Sequence, residues 1–404
     1  MQPSPLSGAQ LLERFQALDS FLIAHQHLWR PKPFTHLQLA WENQHPELAN
    51  WLRARSLAAA EAADNHPERL AAPAPFPELA QQASTLSAVG ALPRHPRPPP
   101  SSRLSAGVPG RKWQQISALA DCLEFQQSPQ HWLDWCAGKG HLGRLLAQDG
   151  SALSCLEYDP ALVTVGQQLS LRAGLKAQHR LQDVFAADTP EHLHAEHTPV
   201  ALHACGDLHV RLLQLASSAG CQQLAVAPCC YNRIHGDSYQ PLSSVAQTSA
   251  LHLSKEDLGL PLSETVTAGA RVRRQRDGSM ARRLAFDQLQ RELTGIDHYL
   301  PTPSLPAAWL DKPFAAYCRD LATLKGLLAP ADRDWATLEA HGWQRLAQVR
   351  NLELLRALFR RPLELWLLLD RALYLQAQGY EVRLGSFCAP QLSPRNLLLL
   401  AERN

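Results

Sequence analysis

Residues 133–143 have the sequence L-D-W-C-A-G-K-G-H-L-G. An apolar stretch typical of a β-strand precedes them, and the segment R-L-L-A that follows is typical of a helix. Glycines between a strand and a helix let the backbone approach a ligand at the helix N-terminus, because no Cβ blocks the approach. The stretch, called the glycine loop below, therefore predicts a ligand site at the start of a βα unit.

Outward from the glycine loop, short apolar runs recur roughly every 20–25 residues, and each precedes a helix-like segment. This rhythm predicts a doubly wound, Rossmann-like α/β sheet of about seven strands. A helix over 362–375 and a final strand pair predict a sheet that ends with a reversed last strand. The predicted strands are 131–136, 152–157, 177–182, 200–203, 224–227, 380–386 and 396–401.

The rest of the chain shows different patterns, and we expect five segments. The N-terminal residues have helical spacing, the next part is rich in proline, and the rhythm of strands stops after the fifth one. The predicted segments are a helical N-terminal unit (1–70), a Pro-rich linker (71–110), the first part of the core (111–235), a helical insertion (236–350) and the last helix and strands of the core (351–404).

Two cofactors fit the glycine loop. Its pattern Gly138-x-Gly140-x-x-Gly143 is also a dinucleotide fingerprint, and Glu157 lies where such a site needs a ribose acceptor. An NAD(P)-dependent oxidoreductase is therefore one alternative. Asp134, just before the loop, would repel a pyrophosphate, whereas it could hold the ammonium of S-adenosylmethionine, which carries no phosphate. We therefore expect S-adenosyl-L-methionine as the cofactor, with Glu157 accepting from the ribose hydroxyls.

Other strand ends complete the predicted cofactor site. Asp183 would meet the adenine amino edge, and Val184 and Phe185 would lie near its face. The predicted cofactor-binding residues are Asp134, Cys136, Gly138, Gly140, Glu157, Tyr158, Asp183, Val184 and His203.

Histidine and cysteine residues follow the fourth and fifth predicted strands, in A-L-H-A-C-G-D (201–207) and A-P-C-C-Y (227–231). These strand ends meet the same crevice as the glycine loop, so the methyl acceptor would arrive there. Three interpretations remain open: buried structural cysteines, a catalytic role, or a zinc site. The catalytic candidates are His203, as proton acceptor, and Cys229, as nucleophile. No metal is expected, because adjacent cysteines lack the usual C-x-x-C spacing of zinc ligands.

Four motifs, in this order, resemble the class I methyltransferase domain of the glutathione S-transferase C-terminal-domain-containing proteins and related methyltransferase-like proteins. More distantly they resemble a tRNA ribose 2′-O-methyltransferase. The motifs are C-A-G-K-G-H (136–141), H-A-C-G (203–206), P-C-C-Y (228–231) and L-S-P-R-N-L (392–397). The resemblance covers about 111–235 and 362–404. It implies a class I methyltransferase fold and S-adenosylmethionine as cofactor, while acceptors differ among the members.

The chain departs from this family in two places. Cys136 stands where the commonest methyltransferase loops open with glycine, and residues 1–70 show no thioredoxin-like or glutathione-transferase-like segment. A glutathione role is therefore not implied. A non-catalytic scaffold that binds the cofactor remains a further alternative.

Composition limits the acceptor and the compartment. A net charge of +2 in 404 residues excludes a strongly basic nucleic-acid binder, so an RNA acceptor would need a local patch. Six arginines with Asp277 alone among them offer such a patch, whereas the histidines of 191–197 are expected in a solvated segment. RNA and protein both stay open as acceptors. The arginines of the patch are Arg271, Arg273, Arg274, Arg276, Arg282 and Arg283.

An odd count of nine cysteines and no apolar run of membrane-spanning length predict a cytoplasmic protein without a membrane partner.

Overall fold

A computed structural model describes residues 3–97, 101–263, 269–330 and 332–403. The chain divides into two compact units. The sheet unit consists of Met1–Ile23, Leu86–Ser263 and Arg361–Asn404, and the helical unit of Ala24–Thr85 and Glu264–Arg360. This division does not coincide with the five predicted segments: the first part of 1–70 and the first part of 236–350 lie in the sheet unit.

The described residues form one eight-stranded sheet in the order β1-β7-β8-β6-β5-β2-β3-β4. The seven predicted strands are present, and the two-residue β1 adds an edge strand that the sequence did not predict. The strands are β1 Leu6–Ser7, β2 His131–Trp135, β3 Ala152–Glu157, β4 Ala177–Leu181, β5 His197–Leu202, β6 Gln223–Ala227, β7 Tyr380–Ser386 and β8 Leu397–Arg403.

Strand direction matches the predicted class I architecture. β4, β3, β2, β5 and β6 pair in parallel, and β8 lies antiparallel to both β6 and β7. The predicted reversed last strand is therefore confirmed. Because the five parallel strands end at the same edge, the loops that follow them meet in one crevice.

Helices surround the sheet and make up most of the helical unit. They are α1 Ala9–Ala24, α2 Gln26–Trp29, α3 Pro46–Arg53, α4 Leu57–Ala63, α5 Phe76–Ser87, α6 Ser102–Ser105, α7 Gly110–Ala120, α8 His141–Leu146, α9 Pro160–Arg172, α10 Asp207–Ser218, α11 Ser244–Gln247, α12 Ala270–Thr294, α13 Phe314–Leu324, α14 Trp335–Ala357 and α15 Arg360–Ala377.

The core of the sheet unit forms because its central strands are apolar on both faces. Trp132 in β2, Leu153 in β3 and Val200 in β5 are each at most 2% exposed, and Leu145 of α8 and Leu398 of β8 pack in the same cluster. Double-sided burial is what parallel strands covered by helices require. The glycine loop therefore starts from a rigid strand.

Two local predictions differ from the structure. The segment predicted as a Pro-rich linker contains α5, because Pro77 lies in the first helical turn, where a missing N–H leaves no bond unmade. The histidine segment 191–197, expected to be solvated, ends in the first residue of β5, and His197 is only 5% exposed. Its ring packs edge-on against His131 with centroids 4.3 Å apart.

In the helical unit, α12 and α14 pack at close range. A Cβ on Gly342 of α14 would lie 2.5 Å from the carbonyl oxygen of Ala281, so only glycine permits this approach. Asp287, 1% exposed, binds Arg291 at 3.0 Å and Arg345 at 2.5 Å. Buried charges that are paired in this way fix the two helices to each other.

Most of the predicted arginine patch on α12 binds other protein groups. Arg273 pairs with Glu61 at 2.9 Å, Arg282 donates to the carbonyl of Lys312 at 2.9 Å, and Arg283 donates to Thr302 at 2.7 Å. Arg271 and Arg274 are exposed. The free phosphate-binding surface of this helix is therefore smaller than its sequence predicts.

Within the described residues, no helix is both long enough and apolar enough to cross a lipid bilayer.

Candidate cofactor and acceptor site

The glycine loop turns sharply between β2 and α8. Cys136, Gly138 and Gly140 have φ values of 53°, 58° and 69°. Glycine adopts this left-handed conformation at little cost, whereas Cys136 is strained in it, and strain of this kind concentrates at functional sites. A Cβ on Gly138 would meet no atom within 4 Å. Open space therefore lies beside the loop, where a ligand can approach the backbone.

Asp134 lies beneath the loop rather than on its surface. It is 3% exposed, and its Oδ2 accepts a hydrogen bond from the N–H of Gly143 at 2.8 Å. A Cβ at 143 would lie 2.5 Å from a terminal methyl of Leu153 and 3.1 Å from Asp134, so a larger residue would displace these side chains. Burial raises the pKa of Asp134 to about 7, while the Gly143 N–H and the charge of Arg144 oppose the rise. The carboxyl thus anchors the first turn of α8 and is poised to ionise beside a cation.

Glu157 ends β3 and closes the loop from the other side. Its Oε2 accepts from the N–H of Gly138 at 2.7 Å, and its Oε1 accepts from the N–H of Asp159 at 3.0 Å. Each carboxylate oxygen can accept a second hydrogen bond, and the side chain is half-buried. Glu157 therefore joins the ends of β2 and β3 and presents acceptor atoms beside the open face of Gly138.

The residues after β4 form the next part of the crevice. Asp183 is exposed and its Oδ1 accepts from the N–H of Phe185 at 3.0 Å, whereas Val184 is 4% exposed. The ring of Phe185 meets the ring of His235 edge-on at 4.6 Å. Tyr158, predicted in the cofactor site, is 72% exposed. Of these residues, Phe185 and His235 form a defined aromatic wall.

His203 follows β5 in a left-handed conformation with a φ of 68°. Its N–H donates to the carbonyl of Ala227 at 3.1 Å, and its Nε2 lies 3.0 Å from Oε1 of Gln115. When Nε2 carries the proton and donates to that oxygen, Nδ1 is free to accept a proton. The ring keeps an exposed edge, yet surrounding protein displaces much of its water and lowers its pKa. The imidazole is therefore neutral near pH 7.

The H-A-C-G motif fixes the loop that follows β6. Gly206 has a φ of 54°, and a Cβ there would lie 1.9 Å from the carbonyl oxygen of Arg233. The next N–H, of Asp207, donates to that same oxygen at 3.0 Å, and Asp207 accepts from the backbone and the ring of His235 at 2.8 Å. Glycine is required here because the two loops touch backbone to backbone.

Three cysteines converge at the ends of β5 and β6. The sulfur of Cys205 lies 3.2 Å from that of Cys229, which lies 3.6 Å from that of Cys230. Hydrogen bonds with Cys205 and Cys230 raise the pKa of Cys229. Hydrogen bonds with Cys205 and Cys229, together with the charges of Arg395 and Arg233, lower the pKa of Cys230. Positive charge from Arg395 and Arg233 therefore favours negative charge on this group of thiols.

A cavity of about 580 Å³ lies between the loops after β4, β5 and β6. Its size suits a small ligand or a nucleotide. Cationic and aromatic side chains face it together with one thiol of the cluster. The lining residues are Phe185, Cys205, Leu208, Asn232, Arg233, Ile234, His235 and Lys255.

A buried polar network supports this crevice from behind. Arg371 of α15, 1% exposed, donates through Nε to Nε2 of His209 at 2.6 Å and through a second nitrogen to the hydroxyl of Tyr239 at 2.9 Å. Nδ1 of His209 lies 3.0 Å from the carbonyl of Ala204, so that nitrogen carries the proton. The network joins α15 to the H-A-C-G motif.

Sequence reasoning missed several of these positions. Asp207 directly follows H-A-C-G at the start of α10, where an acidic residue favours the helix dipole, and this signal could have found it. Gln115, His235 and Arg371 gave no local signal, because each reaches the crevice only through the tertiary fold. The predicted residues around the glycine loop lie together, as do His203 and the three cysteines.

Residues 111–237 match the family model described as a methyltransferase domain. The match includes the glycine loop, Glu157, Asp183 and the H-A-C-G and P-C-C-Y motifs. It begins at the residue where the first part of the core is predicted and ends two residues beyond its predicted end.

Several solved structures are similar to parts of the chain. A protein from work on the conversion of a disulfide bond into a thioacetal group during echinomycin biosynthesis shares 18% identity over 24% of this chain and 42% of that chain, with a TM-score of 0.21. An RNA methyltransferase from Salinibacter ruber, solved with S-adenosyl-L-homocysteine, shares 19% identity over 33% of this chain and 86% of that chain, with a TM-score of 0.23. The plantazolicin methyltransferase BpumL, solved with the same ligand, shares 12% identity over 72% of this chain and 95% of that chain, with a TM-score of 0.23.

The chain spans less than half the length of the first of these proteins. The family model and the strand order together fix the class of the domain. Residues 111–237 are a methyltransferase domain on a class I, Rossmann-like α/β fold, and S-adenosyl-L-methionine is the cofactor of that domain.

Proposed function

We propose that this chain transfers the methyl group of S-adenosylmethionine to an acceptor in the crevice at the carboxyl ends of β2 to β6. The observation that carries the proposal is the hydrogen bond between Gly138 and Glu157 beside the open face of Gly138. It puts paired carboxylate acceptors and an unobstructed backbone side by side, as a ribose with two free hydroxyls requires.

The other proposed cofactor-binding residues contact different parts of the cofactor. Asp134, beneath the loop, is the proposed partner of the ammonium of the methionine part, whose charge favours the ionised carboxyl. Asp183 accepts from the adenine amino group, and Val184 with Phe185 contacts the adenine face. A pyrophosphate is disfavoured, because the first turn of α8 already binds the carboxyl of Asp134. The oxidoreductase alternative has no support from the family model.

The sulfonium of the cofactor supplies an activated leaving group, so methyl transfer is an in-line displacement. The chain contributes position and a site with little water. His203 is the proposed proton acceptor for the attacking hydroxyl or amine, through Nδ1. Gln115 orients its ring by accepting from Nε2.

RNA is the acceptor that the cavity supports best. Arg233 and Lys255 are exposed cations that can bind phosphate, and the ring of His235 can stack against a base. A protein side chain is the other outcome of the test.

All nine cysteines are free thiols, which supports a reducing compartment such as the cytoplasm.

The cofactor is tested by calorimetry and the acceptor by labelling. S-adenosylhomocysteine should bind the full chain saturably and raise its melting temperature, while NAD+ and NADP+ should not. Radiolabelled S-adenosylmethionine is then added with the chain to fractionated cell extract, and the label is treated with nuclease or protease. Loss of label to nuclease supports RNA, and loss to protease supports a protein acceptor. Saturable binding with no transfer in any fraction would support the non-catalytic scaffold.

A further inference from the structure

The three sulfurs at the ends of β5 and β6 have the spacing of metal ligands. Cys205 and Cys229 are 3.2 Å apart and Cys229 and Cys230 are 3.6 Å apart, and all three sulfurs lie within 4.8 Å of one another. Sulfurs bound to one tetrahedral Zn²⁺ at about 2.3 Å lie about 3.8 Å from one another. A single ion can therefore contact all three sulfurs after changes of up to about 1 Å in the distances between them.

The backbone holds the thiols in this arrangement. Cys205 lies between His203 and Gly206, which both have a positive φ. Its sulfur donates a hydrogen bond to the carbonyl of His203 at 3.3 Å. β5 and β6 pair in parallel up to Leu202 and Ala227, so the two cysteine loops start side by side. The strained backbone of His203 beside this thiol is a cost that a merely space-filling cysteine does not need.

The surroundings suit an anionic thiolate cluster with one open position. Arg233 and Arg395 bring positive charge to Cys230, which offsets the charge of bound thiolates. The three thiols are partly exposed, and Cys205 lines the cavity of about 580 Å³. Zinc sites with three protein ligands keep a fourth position for water or substrate. A ligand in the cavity can complete this site.

We propose that Cys205, Cys229 and Cys230 form a three-thiolate site for Zn²⁺ whose fourth position opens to the cavity. The sequence did not predict a metal here, because adjacent cysteines lack the C-x-x-C spacing. The fold supplies what the spacing lacks, since the third thiol comes from the neighbouring strand. The site is independent of the proposed acceptor, and it holds whether or not methyl transfer is detected.

The test uses the full chain purified under reducing conditions. We expect about one zinc per chain by plasma mass spectrometry, and Co²⁺ added to the metal-depleted chain should give a thiolate-to-cobalt charge-transfer band and strong tetrahedral d–d bands. Cys205→Ala and Cys229→Ala should each lower zinc affinity at least tenfold and remove the charge-transfer band. Cys318→Ala, which removes a thiol from the helical unit, is the matched control and should keep both. Circular dichroism checks that each variant folds.

Three results would overturn the proposal. The first is a folded chain that takes up neither zinc nor cobalt. The second is equal metal content in Cys205→Ala, Cys229→Ala and Cys318→Ala. The third is a disulfide between Cys205 and Cys229 in freshly isolated, metal-free chain, found by alkylation and mass spectrometry. Binding of S-adenosylhomocysteine, measured on the same samples, reports separately on the proposed function.

Discussion

The N–H of Gly143 donates to Oδ2 of Asp134 across 2.8 Å, which joins the buried end of β2 to the first turn of α8. Burial gives this carboxyl a pKa of about 7, so in the free chain it holds a proton at pH 6. An ammonium beside it favours ionisation. We expect S-adenosylhomocysteine binding at pH 6 to release up to one proton, measured by calorimetry in buffers of different ionisation enthalpy.

Asp134→Asn keeps the shape of the side chain and cannot ionise. It should bind S-adenosylhomocysteine more weakly and release no proton from this position. Equal proton release by both chains would remove Asp134 from the cofactor site.

The same pKa sets how stability depends on pH. Asp134 titrates near 3.8 when unfolded and near 7 when folded, so between these values the folded chain binds more protons. Stability from this group is therefore full at low pH and is lost as pH rises toward 7. As pH rises from 4 to 8, the free energy of unfolding of Asp134→Asn should increase relative to that of the parent chain by on the order of 2–4 kcal/mol. Urea unfolding at both pH values measures this gain, and a constant difference would contradict it.

Glu157 should bind the ribose hydroxyls. Glu157→Ala removes the acceptor and should weaken S-adenosylhomocysteine binding by at least about 1.5 kcal/mol. Glu157→Gln keeps one carbonyl acceptor, so its affinity for S-adenosylhomocysteine should fall less than that of Glu157→Ala. Glu191→Ala, at an exposed position of the same unit, is the control. Calorimetric affinities that do not differ among the three would mean that the ligand lies elsewhere.

Gly206 should tolerate no side chain. Gly206→Ala places a Cβ 1.9 Å from the carbonyl of Arg233, so the loop after β6 must move. We expect a loss of about 2 kcal/mol or more in the free energy of unfolding. Gly220→Ala is matched for backbone strain, since Gly220 also has a positive φ but its Cβ would come no closer than 3.9 Å to another residue. Equal loss in both variants, by thermal or urea unfolding, would show that strain and not the loop contact decides.

An RNA acceptor should depend on the two exposed cations that line the cavity, Arg233 and Lys255. Lys255→Glu should raise the KM for RNA several-fold, reduce the salt dependence of RNA binding, and leave S-adenosylhomocysteine affinity unchanged. Arg233 is unsuitable for this test, because its positive charge also acts on the thiol of Cys230. Unchanged RNA methylation would exclude Lys255 as a phosphate-binding residue.

Local pattern alone predicted the sheet and the cofactor end of the crevice. Alternating strands and helices set the parallel order, and glycines with acidic residues at strand ends signalled the ligand site, because these features depend on neighbours in sequence. The pattern also found the reversed last strand. It missed β1, since two residues that gain their place only by pairing with β7 carry no periodic signal.

The acceptor end was decided by tertiary structure. The sequence placed His203 and the cysteines at strand ends but left three roles open, and adjacent Cys229 and Cys230 argued against a metal. Pairing of β5 with β6 brings the sulfur of Cys205 within 3.2 Å of Cys229, and contact between Gly206 and Arg233 fixes the loop around them. The residue types were determined by the sequence, but their distances follow from long-range strand pairing, which no local spacing encodes.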